Sequence, residues 1–442
     1  MTTEVRPPHL SGEDIVRLSR EHVFFSWSVQ RTIDPIPVVR GEGIYYWGAD
    51  GKRYVDFSSQ LMSLNIGYQH PKVVAAIQEQ AARLCSAHPA AATEPKAVLG
   101  QRLAEVTPGD LNKVFFTLGG AEANENAVKF ARLYTGRHKI ISRYISYHGA
   151  TYGAITLSGD YRRPPVEPGI PGVVHAFDPY CYRCVFGYTP DICHRECITH
   201  IEQMIQYEGP ETVAAVIMEG VTGSNGILVP PDDYWPRLRE ITRKYGILLI
   251  ADEVMTGFGR TGAWFAVDHW GVVPDILTMA KGLTSGYLPL GAVAVSDAIA
   301  RHFDDQMLYM GLTYYGHPLS CAAAIATLQV YRDENLIEHS REMGQVLASE
   351  LGRIRREQPI VGDVRSLGLF STLELVKDRR TREPLDPAAM NRLKAQLQAD
   401  GLTTFINKSM VFACPPLIIT EAELRDGLGI IERAIAQAAA SL

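Results

Sequence analysis

The sequence predicts an α/β protein: a large domain on a mostly parallel sheet flanked by helices, followed by a smaller α+β domain. Three observations carry this. From about Gly67 to Ala326, short apolar runs such as Val213 to Met218, Gly246 to Ala251 and Ile276 to Ala280 alternate with helical stretches, the pattern of strands buried on both faces. From Asn335 the pattern changes to a long helix up to Glu357, strands near Ser366 to Val376 and Met410 to Ala413, and a last helix from Glu421 to Ala438. A chain of 442 residues can also bury two linked cores. The expected division is 1–65 as an N-terminal segment packing with the small domain, 66–330 as the large domain and 331–442 as the small domain.

Composition narrows the function. Hydrophobic residues make up 46%, charged residues 21%, and the net charge is −6, values of an ordinary soluble globular protein. The mild acidity and the lack of a Lys/Arg run argue against nucleic acid as a partner. No apolar run is long enough to span a bilayer. Met1 to Leu10 has no basic segment followed by an apolar core, so no secretory signal is expected and the cytoplasm is the expected location. Seven cysteines, an odd number in a chain this long, suit reduced thiols better than a disulfide framework. Internal repeats and low-complexity tracts are absent from the sequence.

In chain order, Ser11 precedes Glu13 and Asp14 and opens a helix to Arg20. His22 to Val29 is aromatic, with Phe24, Phe25 and Trp27, and reads as a hydrophobic anchor or a pocket wall. Val38 to Phe57 reads as two short strands around the hairpin signal Asp50-Gly51. Pro71 to Leu84 begins with proline and repeats Val73, Val74, Ile77 and Ala81, an amphipathic helix. The strand Val114 to Thr117 runs into Gly119-Gly120-Ala121-Glu122-Ala123-Asn124-Glu125 and a helix. A strand, a small-residue turn and a helix start make an anion site, because free backbone N–H groups converge there. No GxxxxGK[ST] run is present, which removes the nucleotide P-loop.

Further on, the strand Ile140 to Tyr144 precedes Tyr147-His148-Gly149, where an aromatic ring can lie flat on a planar ligand; His148 by itself reads as a structural histidine. Val213 to Met218 ends in Glu219, and Asp232 to Lys244 is helical. Leu248 to Gly286 is the centre of the chain: one apolar strand delivers Asp252 and Glu253, and a second delivers Lys281 into a glycine-containing loop. The carboxyl ends of parallel strands are where open α/β sheets bind ligands. A lysine amine in a partly desolvated site can hold pyridoxal phosphate (PLP) as a Schiff base. A carboxylate facing the pyridine nitrogen keeps it protonated, so that the ring accepts a carbanion's electrons. Either residue alone would read as a surface ion pair; with the anion site they form a set.

The run Ala251-Asp252-Glu253-Val254, Thr256-Gly257-Phe258-Gly259-Arg260-Thr261-Gly262, Pro274-Asp275-Ile276 and Lys281-Gly282 resembles the signature of class III aminotransferases of PLP fold type I. The likeness extends in weaker form over nearly the whole chain. It implies Asp252 on the pyridine nitrogen, Val254 on one ring face, Lys281 as the tether, and Gly120 and Ala121 on the phosphate. Tyr147 would stack on the ring with His148 beside it, and Glu219 would support the surrounding hydrogen bonds. Thr313, in Thr313-Tyr314-Tyr315-Gly316 ahead of the helix Ser320 to Tyr331, would reach the phosphate in the neighbouring subunit, which implies a homodimer or tetramer with a shared site.

For the substrate, the resemblance puts Trp27 and Leu61-Met62-Ser63-Leu64 at the pocket, with Met62 where relatives often carry tryptophan. Ser158 to Pro165, with Arg162 and Arg163, resembles taurine:pyruvate-type members; the arginines read as a solvated face or as receptors for a carboxylate or sulfonate. Related enzymes place a mobile arginine some nine residues before the Pro-Pro-Leu of the small domain. Here Thr404 to Lys408 has none, leaving Arg163 and Lys408 as candidates for the keto acid's carboxylate. Cys181, Cys184, Cys193 and Cys197 form C-x2-C-x8-C-x3-C, a spacing that can hold zinc. The segment resembles an insertion of some class III enzymes with no metal implied, so a packed thiol cluster, and no metal, is expected.

The expected reaction is amino transfer from an ω-amine or other primary amine to a keto acid, pyruvate. Rival readings are a taurine- or β-alanine-specific pyruvate transaminase, an ornithine- or GABA-type enzyme using 2-oxoglutarate, an aminomutase or decarboxylase, and a non-catalytic PLP- or zinc-binding module.

Overall fold

The computed structural model describes residues 10–441. The expected absence of a secretory signal concerns Met1 to His9, which lie outside these residues.

A seven-stranded sheet organises the large domain. Its strands lie in the order Lys113–Thr117, Gly291–Val295, Ile276–Met279, Leu248–Asp252, Val213–Glu219, Lys139–Arg143, Val173–Ala176. Gly291–Val295 runs antiparallel to both its neighbours, and the remaining pairs are parallel. Alternate side chains of the central strands enter two different cores. Ala215, Ile217, Leu248 and Ile250 pack with Ala127 and Phe130 on one face. Val216, Met218, Leu249 and Ala251 pack with Trp235 and Leu238 on the other. Both faces are therefore covered, which is why these strands read as unbroken apolar runs.

The helix Gly120–Thr135 buries Ala123, Ala127, Phe130 and Ala131, one face at helical spacing, and stops at Gly136, whose φ of 68° suits a left-handed C-cap. It starts at the carboxyl end of Lys113–Thr117, so its N-terminus lies on the same edge as Asp252 and Glu219. Between Val38 and Phe57 the expected two strands are three, Val38–Glu42, Tyr45–Gly48 and Arg53–Asp56. The additional turn sits at Gly43, with φ of +57°, where the surrounding residues carry no two-residue hairpin signal.

The C-terminal part holds an antiparallel sheet of Val361–Leu367, Phe370–Asp378, Met410–Ala413 and Ile406–Asn407. The short strand Leu402–Thr403 leaves it to pair in parallel with Val55 and Asp56 of the N-terminal sheet. Two helices carry weaker sequence signals. Glu196–Glu208 follows the cysteine segment without a capping side chain, and only Cys197, Ile198, Ile201 and Ile205 mark its buried face. Pro387–Ala399 is capped by the Asp386 carboxylate on the Ala389 N–H. Among the described residues, no helix is long and apolar enough to cross a membrane.

Arg260 joins the parts. It is fully buried, and its guanidinium donates to Ser59 Oγ (3.1 Å) and Asn65 Oδ1 (2.8 Å) of the N-terminal segment and to Leu369 O (3.1 Å) and Pro415 O (2.6 Å) of the C-terminal part.

Candidate active site

The carboxyl ends of the central strands open into a cavity of about 460 Å3, bordered by Gly120, Tyr147, Asp252, Val254 and Lys281. Lys281 follows Ile276–Met279 and starts a tight turn with φ of +45°, a conformation that non-glycine residues adopt only when the surroundings hold it. Tyr331 Oη donates to Gly282 O at 2.7 Å. On the other side a Cβ at Gly282 would lie 2.6 Å from Asn65 Nδ2, so only glycine fits after the lysine. Burial pushes the Lys281 amine down to about 8; the Asp252 and Glu219 carboxylates oppose the shift, and the Arg162 charge adds to it. A neutral amine is thereby accessible near physiological pH, as a nucleophile and proton carrier requires.

Asp252 ends the strand Leu248–Asp252 and is buried. Its Oδ2 faces Asn124 Nδ2 and His148 Nδ1, each at 2.7 Å, and its Oδ1 accepts from the Val254 N–H at 3.0 Å. His148 Nε2 meets Ser142 Oγ at 3.2 Å, an arrangement that suits the imidazole donating through Nδ1 and accepting through Nε2. Thr278 Oγ1 donates to Asn124 Oδ1 at 2.8 Å, fixing the amide with its NH2 toward the carboxylate. Asn124 lies one turn beyond Gly120 on the same helix. The sequence reading gave it no role; its i+4 position from the anion site was the available signal.

Glu219 is buried beside this group; its carboxylate accepts from the Tyr147 N–H (3.1 Å) and the Gly223 N–H (2.7 Å), and burial raises its pKa. Glu253 serves a different purpose. It accepts from the Ala266 and Val267 N–H groups at 3.0 and 2.9 Å and from the Thr256 hydroxyl, capping a short helical turn, with burial pushing it up to about 7.

The residues present fit PLP. The amine of Lys281 suits an aldehyde and the carboxylate of Asp252 a pyridine nitrogen. The helix Gly120–Thr135 has Gly119 as N-cap with no side chain on its first-turn N–H groups, which suits a phosphate. A Cβ at Gly120 would lie 2.6 Å from Val254 Cγ1, so Val254 can pack against the helix start only because that position is glycine. When bound there, PLP supplies the electron sink; the chain supplies the amine, the counter-charge and the anion cradle.

The substrate side differs from expectation at several positions. Arg162, rather than Arg163, reaches the site: its guanidinium carbon lies 3.8 Å from the centre of the Tyr147 ring and 5.5 Å from that of Trp27. Asp160 Oδ2 accepts from its Nε at 2.9 Å and Ser224 Oγ from its Nη2 at 2.9 Å. Arg163 instead pairs with Glu167 at 3.2 Å and donates to the His175 ring at 2.9 Å. Burial and that same arginine hold His175 at about 4, neutral and able to accept. Trp27 meets the Tyr147 ring edge-on at 6.2 Å and is 58% exposed.

Met62 does not line the cavity. Positive φ at Ser59, Gln60 and Met62 turns its side chain into an apolar cluster with Val221, Phe370, Met410 and Phe412, and leaves Leu61 on the surface. Lys408 borders a separate cavity lined by residues from Tyr144 to Asn225 and from Glu374 to Met410. Thr313 is exposed and lies outside the cavity of its own chain. Cys181, Cys184, Cys193 and Cys197 are free thiols around another small cavity. Among the described residues no group of three or more His, Cys, Asp or Glu side chains is close enough to hold a metal ion.

A mostly parallel sheet carrying an amine, a buried carboxylate and a helix N-terminus at one edge is the site of a fold type I PLP enzyme. The family model of class III aminotransferases matches residues 27–435, and the chain belongs to that family: it is a PLP-dependent aminotransferase. It is similar to the crystal structure of taurine:2-oxoglutarate aminotransferase from Bifidobacterium kashiwanohense in complex with PLP and glutamate, at 42% identity and a TM-score of 0.95, covering 99% of this chain and 100% of that one. It is also similar to a thermostable (S)-enantioselective ω-transaminase from Thermomicrobium roseum, at 38% identity and a TM-score of 0.92, covering 98% and 99%. Taurine–pyruvate aminotransferase of Bilophila wadsworthia is 34% identical over 95% of this chain and 96% of that protein.

Proposed function

We propose that this aminotransferase takes its amino group from an ω-amine bearing a terminal anion, a sulfonate or carboxylate, and passes it to pyruvate. The observation that carries the reading is Arg162, whose guanidinium lies on Tyr147 at the cavity with Nη1 free of hydrogen bonds to the described chain. With Nε and Nη2 held by Asp160 and Ser224, the free Nη1 amino group can give a charge-assisted hydrogen bond to a sulfonate or carboxylate oxygen. The relatives named for taurine support the donor class, and the pyruvate-using relative supports the acceptor.

In this reading Lys281 Nζ holds the cofactor until the donor amine takes its place. The freed amine then carries a proton away from the donor's amine-bearing carbon. Asp252 keeps its charge toward the pyridine nitrogen, and Arg162 orients the donor's far end. The same residues serve the return half with the keto acid. The active unit is a homodimer or tetramer in which Thr313 completes the neighbouring site, and the enzyme works in the cytoplasm.

The test is a donor and acceptor panel with PLP-loaded protein: taurine, β-alanine and (S)-α-methylbenzylamine, each with pyruvate or 2-oxoglutarate, following the amino acid formed. Taurine or β-alanine with pyruvate should outpace the neutral amine. Preference for the neutral amine would sink the anionic donor, and alanine absent while glutamate forms would replace pyruvate with 2-oxoglutarate.

A further inference from the structure

A second cavity of about 680 Å3 lies between the two domains, within the size range of small-molecule sites. Its polar wall comes from three separated parts of the chain: Arg183 and Asn225 of the large domain, Lys394 on the helix Pro387–Ala399, and Lys408 in the turn between Ile406–Asn407 and Met410–Ala413. The buried side-chain atoms on this wall that lack a partner are both donors. Arg183 Nη2 and Asn225 Nδ2 are buried and have no partner, and Asn225 is only 5% exposed.

Lys394 and Lys408 form no ion pair among the described residues, and the Lys408 ammonium lies 5.8 Å from the Tyr161 ring. The acceptors on the same wall are already engaged. The Glu374 carboxylate takes Arg183 Nε at 2.5 Å, Arg365 Nη1 at 2.9 Å and the Tyr180 hydroxyl, and Asp160 is held by Arg162. Donors left without acceptors in a desolvated place are costly, and a ligand that brings acceptors removes the cost. Between these donors the lining is apolar, with Ile145, Leu385, Met390 and Ile406.

We propose that this interdomain cavity binds a small organic anion, its carboxylates on Arg183, Asn225, Lys394 and Lys408 and its carbon chain on the apolar side chains between them. The site is separate from the cofactor cavity, yet it shares Asp160 with the Arg162 pair and Glu374 with the contact between domains. An occupant therefore bears on the small domain's seating and on the arginine at the substrate side.

The experiment is calorimetric titration of PLP-loaded protein with glutarate, a dicarboxylate with no keto group to react. Arg162→Met serves as the background, because it removes the anion receptor of the substrate site. Glutarate should still bind Arg162→Met, and adding Lys394→Met and Lys408→Met should weaken it by about tenfold or more, the loss of two charge-assisted contacts. Both lysines are exposed, so the substitutions leave the cores intact.

Unchanged glutarate binding after the two lysine substitutions, made both in Arg162→Met and in the wild type, whose Asp160 stays paired, or no binding to either parent, overturns the site. Inorganic phosphate binding as well as glutarate overturns the organic part of the assignment. Failure of the donor reading would show differently, as equal glutarate binding by the wild type and Arg162→Met with the lysine effect intact.

Discussion

His148 Nδ1 and Asp252 Oδ2 stand 2.7 Å apart in a buried pocket, and Asn124 Nδ2 approaches the same oxygen at the same distance. Two side-chain donors on one oxygen supply the hydrogen bonds that a buried carboxylate would otherwise lack. Oδ1 is less engaged: among the described residues it accepts only the Val254 N–H.

From this arrangement Asp252→Asn should lower kcat by on the order of 10²–10⁴, the range of a lost proton-holding group. Asn124→Ala should cost about 1.5–3 kcal/mol, the value of a hydrogen bond to a charged group, read as a fall in kcat of about 10- to 100-fold with weaker PLP retention. Steady-state kinetics and PLP titration of the apo-protein check both.

Lys281 gives a pH dependence. Its amine titrates at about 8, lowered mainly by burial, and the neutral form attacks the aldehyde. The rate of PLP capture by the apo-protein should therefore rise with pH up to about 8 and then level off; stopped-flow absorbance would record it. The same shift makes the unfolded chain bind more protons than the folded one between about 8 and the ordinary lysine value, so apo-protein stability should increase with pH across that window.

Much of this site was legible in the sequence, because strand-end residues announce themselves. Asp252, Glu219 and Lys281 each follow an apolar run, and the small-residue turn at Gly119 and Gly120 marks the helix start. What decided Arg162 over Arg163 is not local: both sit in one loop, and only the pairing with Asp160 and Ser224 turns the first inward. Met62 escaped for a similar reason, since three residues with positive φ in the loop Ser59 to Met62 reverse its direction. The Glu253 environment also depends on folding, because its partners at Ala266 and Val267 come from a later turn.

The two neighbouring arginines separate cleanly in an experiment. Arg162→Met should raise KM for an anionic donor by about 10- to 100-fold, the loss of a charge-assisted contact of about 1.5–3 kcal/mol, and leave KM for a neutral amine nearly unchanged. Arg163→Met should change neither, as that side chain is spent on Glu167 and His175.

Arg260 is a stability residue. Among the described residues no carboxylate pairs with it, and four acceptors from two parts of the chain surround it. Arg260→Met should strand these acceptors and destabilise the protein by about 3–5 kcal/mol, seen as a lower urea midpoint. Arg260→Lys should restore little, because one ammonium cannot address acceptors set around a planar fork.

The assignment of the whole site turns on Lys281. Borohydride reduction of the PLP-loaded protein, followed by digestion and mass spectrometry, would fix the tether covalently and locate it. The account predicts the reduced phosphopyridoxyl group on the peptide carrying Lys281 and on no other lysine. A label on a different lysine, or none at stoichiometric PLP, would contradict it.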